Sequence, residues 1–260
     1  MKHLKKIIFC LLLTFCFFAC TNETKDKVAN KPPEKVLNRF ESWWEYHNQN
    51  IHFSENYIPL NSNAQIISKD SFFQEMIHGN FVPIRVIGMD SVLQYQLYPL
   101  SDSADNDLKI YAKQIAEDAY HKYKLEGMKI PDFNFTDLNG NKYDSTNTKG
   151  KVIVLKCWFI HCQSCVQEMP ALNELVKSYQ NRKDVLFISM AYDSTEKLKK
   201  FLSNTKFDYA VIPTTASYME DKLKVTGYPT QFVINREGKI SKVMNDYKEM
   251  ISALKIELNK

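Results

Sequence analysis

Val152-Ile153-Val154-Leu155-Lys156-Cys157-Trp158-Phe159-Ile160-His161-Cys162-Gln163-Ser164-Cys165-Val166-Gln167-Glu168-Met169-Pro170 is the stretch that decides the fold. It opens as the continuous apolar run Val152 to Leu155, the pattern of a strand buried on both faces. After Cys162-x-x-Cys165, Val166, Met169, Leu172, Val176 and Tyr179 recur at the spacing of one continuous amphipathic helix. A strand that runs into Cys-x-x-Cys at a helix start is a device for making a reactive thiol. The first cysteine sits beside unpaired N–H groups and the positive end of the helix dipole, both of which favour a thiolate. A free thiol titrates near about 8.5, and sites of this kind fall to roughly 3.5–7.5. The second cysteine, one turn on, is within reach of a disulfide.

Far downstream, Gly227-Tyr228-Pro229-Thr230 opens the apolar strand Thr230–Asn235. The two motifs, in this order, resemble the thioredoxin superfamily, and in particular its membrane-tethered TlpA/ResA-like thiol-disulfide oxidoreductases. In that branch a Phe-Trp-x-x-Trp-Cys-x-x-Cys-x-x-Glu-x-Pro pattern follows a hydrophobic strand. The resemblance covers residues 128–260 and says nothing about those before. It implies an α/β thioredoxin-like fold, a central mixed sheet flanked by helices, and a cis-proline loop at Tyr228-Pro229 that faces the cysteine pair. It places the extra strand and helix of that branch at Asp193–Ile212. No cofactor is implied.

The chain of 260 residues has room for one large or two small domains, with 44% hydrophobic and 25% charged residues. Its net charge of +4 falls to +1 without Lys2, Lys5 and Lys6, and residues 1–19 hold no acid. That leaves no electrostatic case for nucleic acid as a partner. The basic start and the 13-residue apolar stretch Ile7 to Ala19 fit a signal peptide; a membrane span takes about 20 residues. Ala19-Cys20 resembles a bacterial lipobox, which implies a lipoprotein attached through Cys20. Ordinary signal peptide and uncleaved anchor are the alternatives, and each exports the remaining chain. Cys10 and Cys16 leave with the signal, so Cys157, Cys162 and Cys165 remain: one redox pair and one odd thiol rather than a disulfide scaffold.

Residues 1–19 are therefore expected to be a lipoprotein signal peptide, and 20–35, polar and ending in Pro32-Pro33, a flexible tether. Residues 36–127 are expected to form a small α+β domain. It would begin with a helix carrying Val36, Leu37, Phe40, Trp43, Trp44, His47 and Ile51. A helix Asp70–His78 closed by Gly79, a hairpin of Phe81–Ile87 with Val92–Tyr98 and a long helix after Asp107 would follow. Its aromatic stripe is expected to be core, and His47 and His52 to be core or surface residues rather than metal ligands. In the thioredoxin-like domain, 128–260, Asn139-Gly140 marks a hairpin and Val185–Ala191 a second buried strand. Asp193 with Glu196 suggests a capping box on the helix Ser194–Ser203. Tyr209–Ile212, Ser217–Lys224, Lys239–Val243 and Tyr247–Leu258 complete strand, helix, strand and helix.

Cys162 is the expected nucleophile, and Cys165 the resolving thiol that attacks the mixed disulfide. A structural disulfide or half a zinc site is the duller alternative, although one Cys-x-x-Cys supplies two of the usual four ligands. Cys157, where the resembled family has Phe, is expected to be a small core hydrophobe. Lys156 stands where thioredoxins keep a buried Asp; its charge would favour thiolates, yet burial would push it towards neutrality. Glu168 matches the family's glutamate, as a proton acceptor for Cys165 or as an exposed helix residue. Gln163 and Ser164 would meet substrate, and Ser164 restores an N–H that the usual proline lacks. Tyr228 would offer backbone hydrogen bonds to an extended substrate segment beside Pro229.

The expectation is an envelope-anchored thiol-disulfide oxidoreductase, facing the periplasm. Its substrates would be exported proteins with cysteine pairs, and family analogy favours reduction, for example of apocytochrome c. A membrane electron donor would recharge it. The alternatives are a thiol peroxidase, for which no Thr-x-x-Cys motif is found, and a non-catalytic envelope protein that binds through residues 36–127.

Overall fold

The computed structural model describes residues 36–37, 39–87 and 92–260. The signal segment 1–19, Cys20, the tether 20–35 and the hairpin turn 88–91 lie outside these residues. Among those described, no helix is long and apolar enough to cross a membrane.

The front of the chain folds as helix α1 (Phe40–Asn50), strand β1 (Ile58–Leu60), helix α2 (Lys69–Ile77), strands β2 (Phe81–Ile87) and β3 (Leu93–Pro99), and helix α3 (Asn106–Leu125). β2 and β3 pair antiparallel from Phe81–Pro99 to Ile87–Leu93, which is the expected hairpin. Alternation puts Tyr95 and Leu97 into the core. β1 was not anticipated: three residues with a central proline carry no periodicity, yet they add parallel to β3. α2 starts on a Ser68 cap and ends before Gly79, whose φ of +77° suits a residue without a side chain. Of the aromatic stripe, Trp43 is core as expected and is buried with Phe72, Phe73 and Tyr95, Phe40 is partly buried against them, and Trp44 is exposed at the surface. His47 is buried beside Trp43, with ring centroids 5.4 Å apart.

The second part contains the short hairpin β4 (Asn134–Thr136) and β5 (Lys142–Asp144), then β6 (Val152–Trp158), helices α4 (Gln163–Gln167) and α5 (Met169–Ser178), β7 (Val185–Ala191), α6 (Thr195–Leu202), β8 (Ala210–Pro213), β9 (Thr230–Ile234), β10 (Ile240–Met244) and α7 (Tyr247–Leu258). Its five-stranded sheet has the order β10-β9-β6-β7-β8. β6, β7 and β8 run parallel; β9 and β10 run antiparallel to their neighbours. This is the expected mixed sheet with helices packed against it, the thioredoxin-like α/β fold. All seven residues of β6 are buried. Its odd positions, Ile153, Leu155 and Cys157, face one apolar layer. On the other face Val152 and Val154 join α5 and α7, and Trp158 joins the cysteines.

Three local readings need correction. The helix after Cys162 is two pieces, because Pro170 has no N–H to give to Val166 and the ladder breaks at Glu168. Met169 and Leu172 still face the core. The cap of α6 is Ser194, which accepts from the Lys197 N–H, whereas Asp193 is engaged elsewhere. The stretch expected as helix Ser217–Lys224 is a single π-helical turn, Tyr218–Lys222.

The two parts meet along one seam. Leu125 at the end of α3 packs into the second core, and Lys242 reaches Glu126 at 2.9 Å. Residues 127–130 run along the edge of β10: Gly127 donates to the Ile240 carbonyl at 2.7 Å, and Ile240 donates to the Met128 carbonyl at 2.8 Å. At the opposite edge the Leu138 N–H donates to the Val211 carbonyl at 2.9 Å. On α7, Glu249 accepts from Ser54 and lies 3.2 Å from His52 Nδ1.

Burial holds the His47 imidazole neutral by lowering its pKa to about 4. The unfolded chain, with an ordinary histidine near 6.5, therefore takes up a proton first as pH falls. His47 thus costs stability between those two values, with a slope of at most about 1.4 kcal/mol per pH unit. Denaturant titrations should show H47F losing less stability than the unmodified chain between these pH values; equal losses exclude this role.

Candidate active site

β6 delivers the chain to the site. After Trp158 it leaves the sheet, and the N–H of Ile160 donates to Asp193 Oδ2 at 2.8 Å, which ties this loop to the end of β7. Cys162 then caps α4: its Sγ accepts from the Cys165 N–H at 3.3 Å. The Ser164 hydroxyl lies 3.5 Å from the same sulfur. Cys162 and Cys165 form a disulfide, with Cα atoms 5.2 Å apart. The two cysteines are not equivalent in access, since Cys162 is 6% exposed and Cys165 is fully buried. Gln163, Ser164 and His161 around them are exposed.

β9 brings the second motif to the same end of the sheet. It runs antiparallel to β6, with Thr230 opposite Cys157, so the residues just before β9 flank those just after β6. The Tyr228-Pro229 bond there is cis, as the resemblance implied. The Thr230 hydroxyl donates to the Gly227 carbonyl at 2.7 Å and closes this loop. Tyr228 packs against the cluster that contains both cysteines. It meets Phe159 edge-on at 5.4 Å and Tyr192 at 5.7 Å, and Phe159 stacks on Tyr192 at 5.0 Å. This aromatic trio was not anticipated, because its members come from three loops with no common period.

One helical turn after Cys165, an ion pair joins a buried cation to a partly buried carboxylate. Lys156, wholly buried on β6, donates to Glu168 Oε2. Gln231 of β9 reaches the same oxygen at 3.4 Å. Burial raises the Glu168 carboxyl above its ordinary range while Lys156 opposes the rise; burial lowers the Lys156 ammonium while Glu168 opposes that. Glu168 is thus no exposed helix residue: its side chain is turned inward to a cation. Neither its partner nor Gln231 was identified from sequence, although a glutamine inside the apolar run TQFVI is a signal that polar company is needed. Cys157 is fully buried and free, with its thiol pushed up to about 12 by burial, which is the core role expected of it.

A disulfide at the start of a helix, one sulfur reachable and one sealed, beside a cis-proline loop on a mixed sheet, defines a thioredoxin-like thiol-disulfide redox protein. The AhpC/TSA family matches residues 127–243. The thiol-disulfide oxidoreductase ResA of Bacillus cereus is 33% identical over 121 residues, 46% of this chain and 69% of that relative. The thioredoxin-like protein YneN of Bacillus subtilis is 28% identical over 120 residues, 45% of this chain and 70% of its own length. A thiol:disulfide interchange protein from Bacteroides sp. is 22% identical to the chain, with a TM-score of 0.45, over 52% of this chain and 91% of its own. The chain belongs to the thioredoxin-like thiol-disulfide oxidoreductases of the AhpC/TSA family, and it is an enzyme of that class.

Access and acidity together rank the cysteines. In the reduced protein, peptide mapping after brief iodoacetamide treatment near neutral pH should find label on Cys162 and none on Cys157. Label on Cys157 before Cys162 would contradict this ranking.

Proposed function

We propose that the enzyme reduces disulfides in exported proteins, facing the periplasm and held to a membrane of the cell envelope by a lipid on Cys20. The observation that carries this reading is the pairing of Cys162 with Cys165, with Cys162 the more accessible sulfur. In the reduced enzyme the Cys162 thiolate attacks a substrate disulfide; a mixed disulfide forms and one substrate thiolate leaves. Glu168 accepts the Cys165 proton, and the Cys165 thiolate then attacks Cys162. The mixed disulfide breaks, the second substrate thiolate departs, and the enzyme holds the disulfide while the substrate has gained two electrons. A thiol-bearing donor at the membrane returns those electrons.

Exposed Gln163 and Ser164, with Tyr228 and Pro229, form the surface that meets the substrate segment. Apocytochrome c, a protein with a pair of cysteines, fits this chemistry. Residues 36–127 act as a separate packing and contact unit ahead of the redox domain 128–260. In support, each part has its own apolar core, and a cleft of about 770 Å³ at the seam, lined by Trp44, His52, Phe53, Lys122 and Glu249, offers room for a contact.

The purified enzyme should catalyse reduction of insulin by dithiothreitol, and C162S should abolish this. In cells, C165S should accumulate a covalent adduct with exported proteins, which names the substrate. C20S should move the protein from the membrane to the soluble fraction. An insulin assay equal for C162S and the unmodified chain would remove Cys162 as nucleophile.

A further inference from the structure

Lys156 has no duty in the scheme above, yet it is a wholly buried cation on the central strand. Strand alternation puts its side chain on the face of Val154 and Trp158, and Trp158 packs in one cluster with Cys162 and Cys165. Glu168 lies three residues after Cys165. Its backbone is still helical and its N–H still reaches the Ser164 carbonyl at 3.2 Å, so Cys165 and Glu168 share one side of the turn. Wholly buried Lys156 and partly buried Glu168 meet there, Nζ on Oε2.

We infer that Lys156 is a positioning residue of the redox reaction: by pairing with Glu168 it keeps that carboxylate ionised one helical turn from Cys165, ready for the Cys165 proton. This rests on the reading of Glu168 as the base. A fixed cation stabilises the negative charge on either side of the transfer, on the carboxylate before it and on the thiolate after it. Before transfer, the set of Lys156 ammonium, Glu168 carboxylate and Cys165 thiol is neutral. After transfer, the ammonium, the carboxylic acid and the Cys165 thiolate are again neutral. The proton moves from Sγ to the carboxylate with the ammonium present throughout. Without the lysine, a buried carboxylate would stand alone, take a proton from solvent, and have no capacity left for the one on Cys165.

The surrounding groups do not replace that cation. From β9, Gln231 contributes an amide, and its Oε1 has no partner among the described residues. Asp246, the cap of α7, adds a negative charge that opposes ionisation of Glu168. Tyr209, before β8, has a buried hydroxyl without a partner among the described residues and is itself held protonated by burial. Cys157 follows on β6 with its side chain on the opposite face, and burial keeps it a neutral thiol.

The test is stopped-flow mixing of the reduced enzyme with dithiobis(nitrobenzoate). The second thionitrobenzoate released reports attack of Cys165 on the mixed disulfide at Cys162. In the unmodified enzyme this rate should rise with pH through the ionisation of Glu168. In K156M that limb should move up by about one pH unit or more, which is about a tenfold loss of rate near neutral pH. E168Q should lose the limb, and K156M/E168Q should be no slower than E168Q alone. If E168Q releases the second thiolate as fast as the unmodified enzyme, the reading of Glu168 as base fails and this inference with it. If E168Q is slow but K156M keeps the limb in place, the role of Lys156 alone is overturned. Should K156M not fold, carboxyl carbon NMR on the unmodified reduced enzyme decides: Glu168 ionised near neutral pH is expected, and Glu168 protonated there overturns the inference.

Discussion

A strand with a neighbour on each edge and a packed layer on each face has no exit to water, and β6 is such a strand. Any charge placed on it must be answered from inside the protein. Lys156 is that charge, and Glu168 answers it from the helix break imposed by Pro170. Removing one member of a buried pair typically costs about 3–5 kcal/mol, against a usual total stability of about 5–15 kcal/mol. The pair therefore ties the central strand, the cysteine turn and β9 into a single unit. The arrangement of the site follows from the sealing of the strand.

The same strand sets the geometry of the chemistry. β6 and β9 run in opposite directions, so the exit of one and the entry of the other lie together, and Cys162 and Tyr228-Pro229 share one end of the sheet. The cap geometry then separates the two cysteines by function. Cys162 sits outside the first helical turn with a trace of access, and Cys165 sits within it, sealed. Sulfur chemistry that begins at the surface and ends in the interior needs this difference.

Much of this was legible in the sequence because it depends on local pattern. The run Val152–Leu155, the spacing of Cys162 and Cys165, and Tyr228-Pro229 ahead of an apolar strand each report on a few adjacent residues. The features missed depend on distant partners. Lys156 and Glu168 are readable one at a time, but not as neighbours, since nothing local says that the two side chains point at each other. Asp193 looked like a helix cap because capping residues precede helices; the backbone of Ile160 took it instead, and Ser194 served. Pro170 was visible throughout, and the apolar period across it masked the break because Met169 and Leu172 keep their faces. β1 carries no pattern of its own and exists because β3 has an edge to offer.

The segment 127–130 and the Leu138 backbone do more than join one part of the chain to the next. They also touch the two edges of the redox sheet, at Ile240 of β10 and at Val211 of β8. The register shift between Ile240 and Lys242 adds an irregularity to the first of these margins. Edges interrupted by bonds and by an irregular register make poorer templates for adding a further strand than long, flat ones do. The short linker between the two parts thus serves as an edge partner of the sheet as well as a connection.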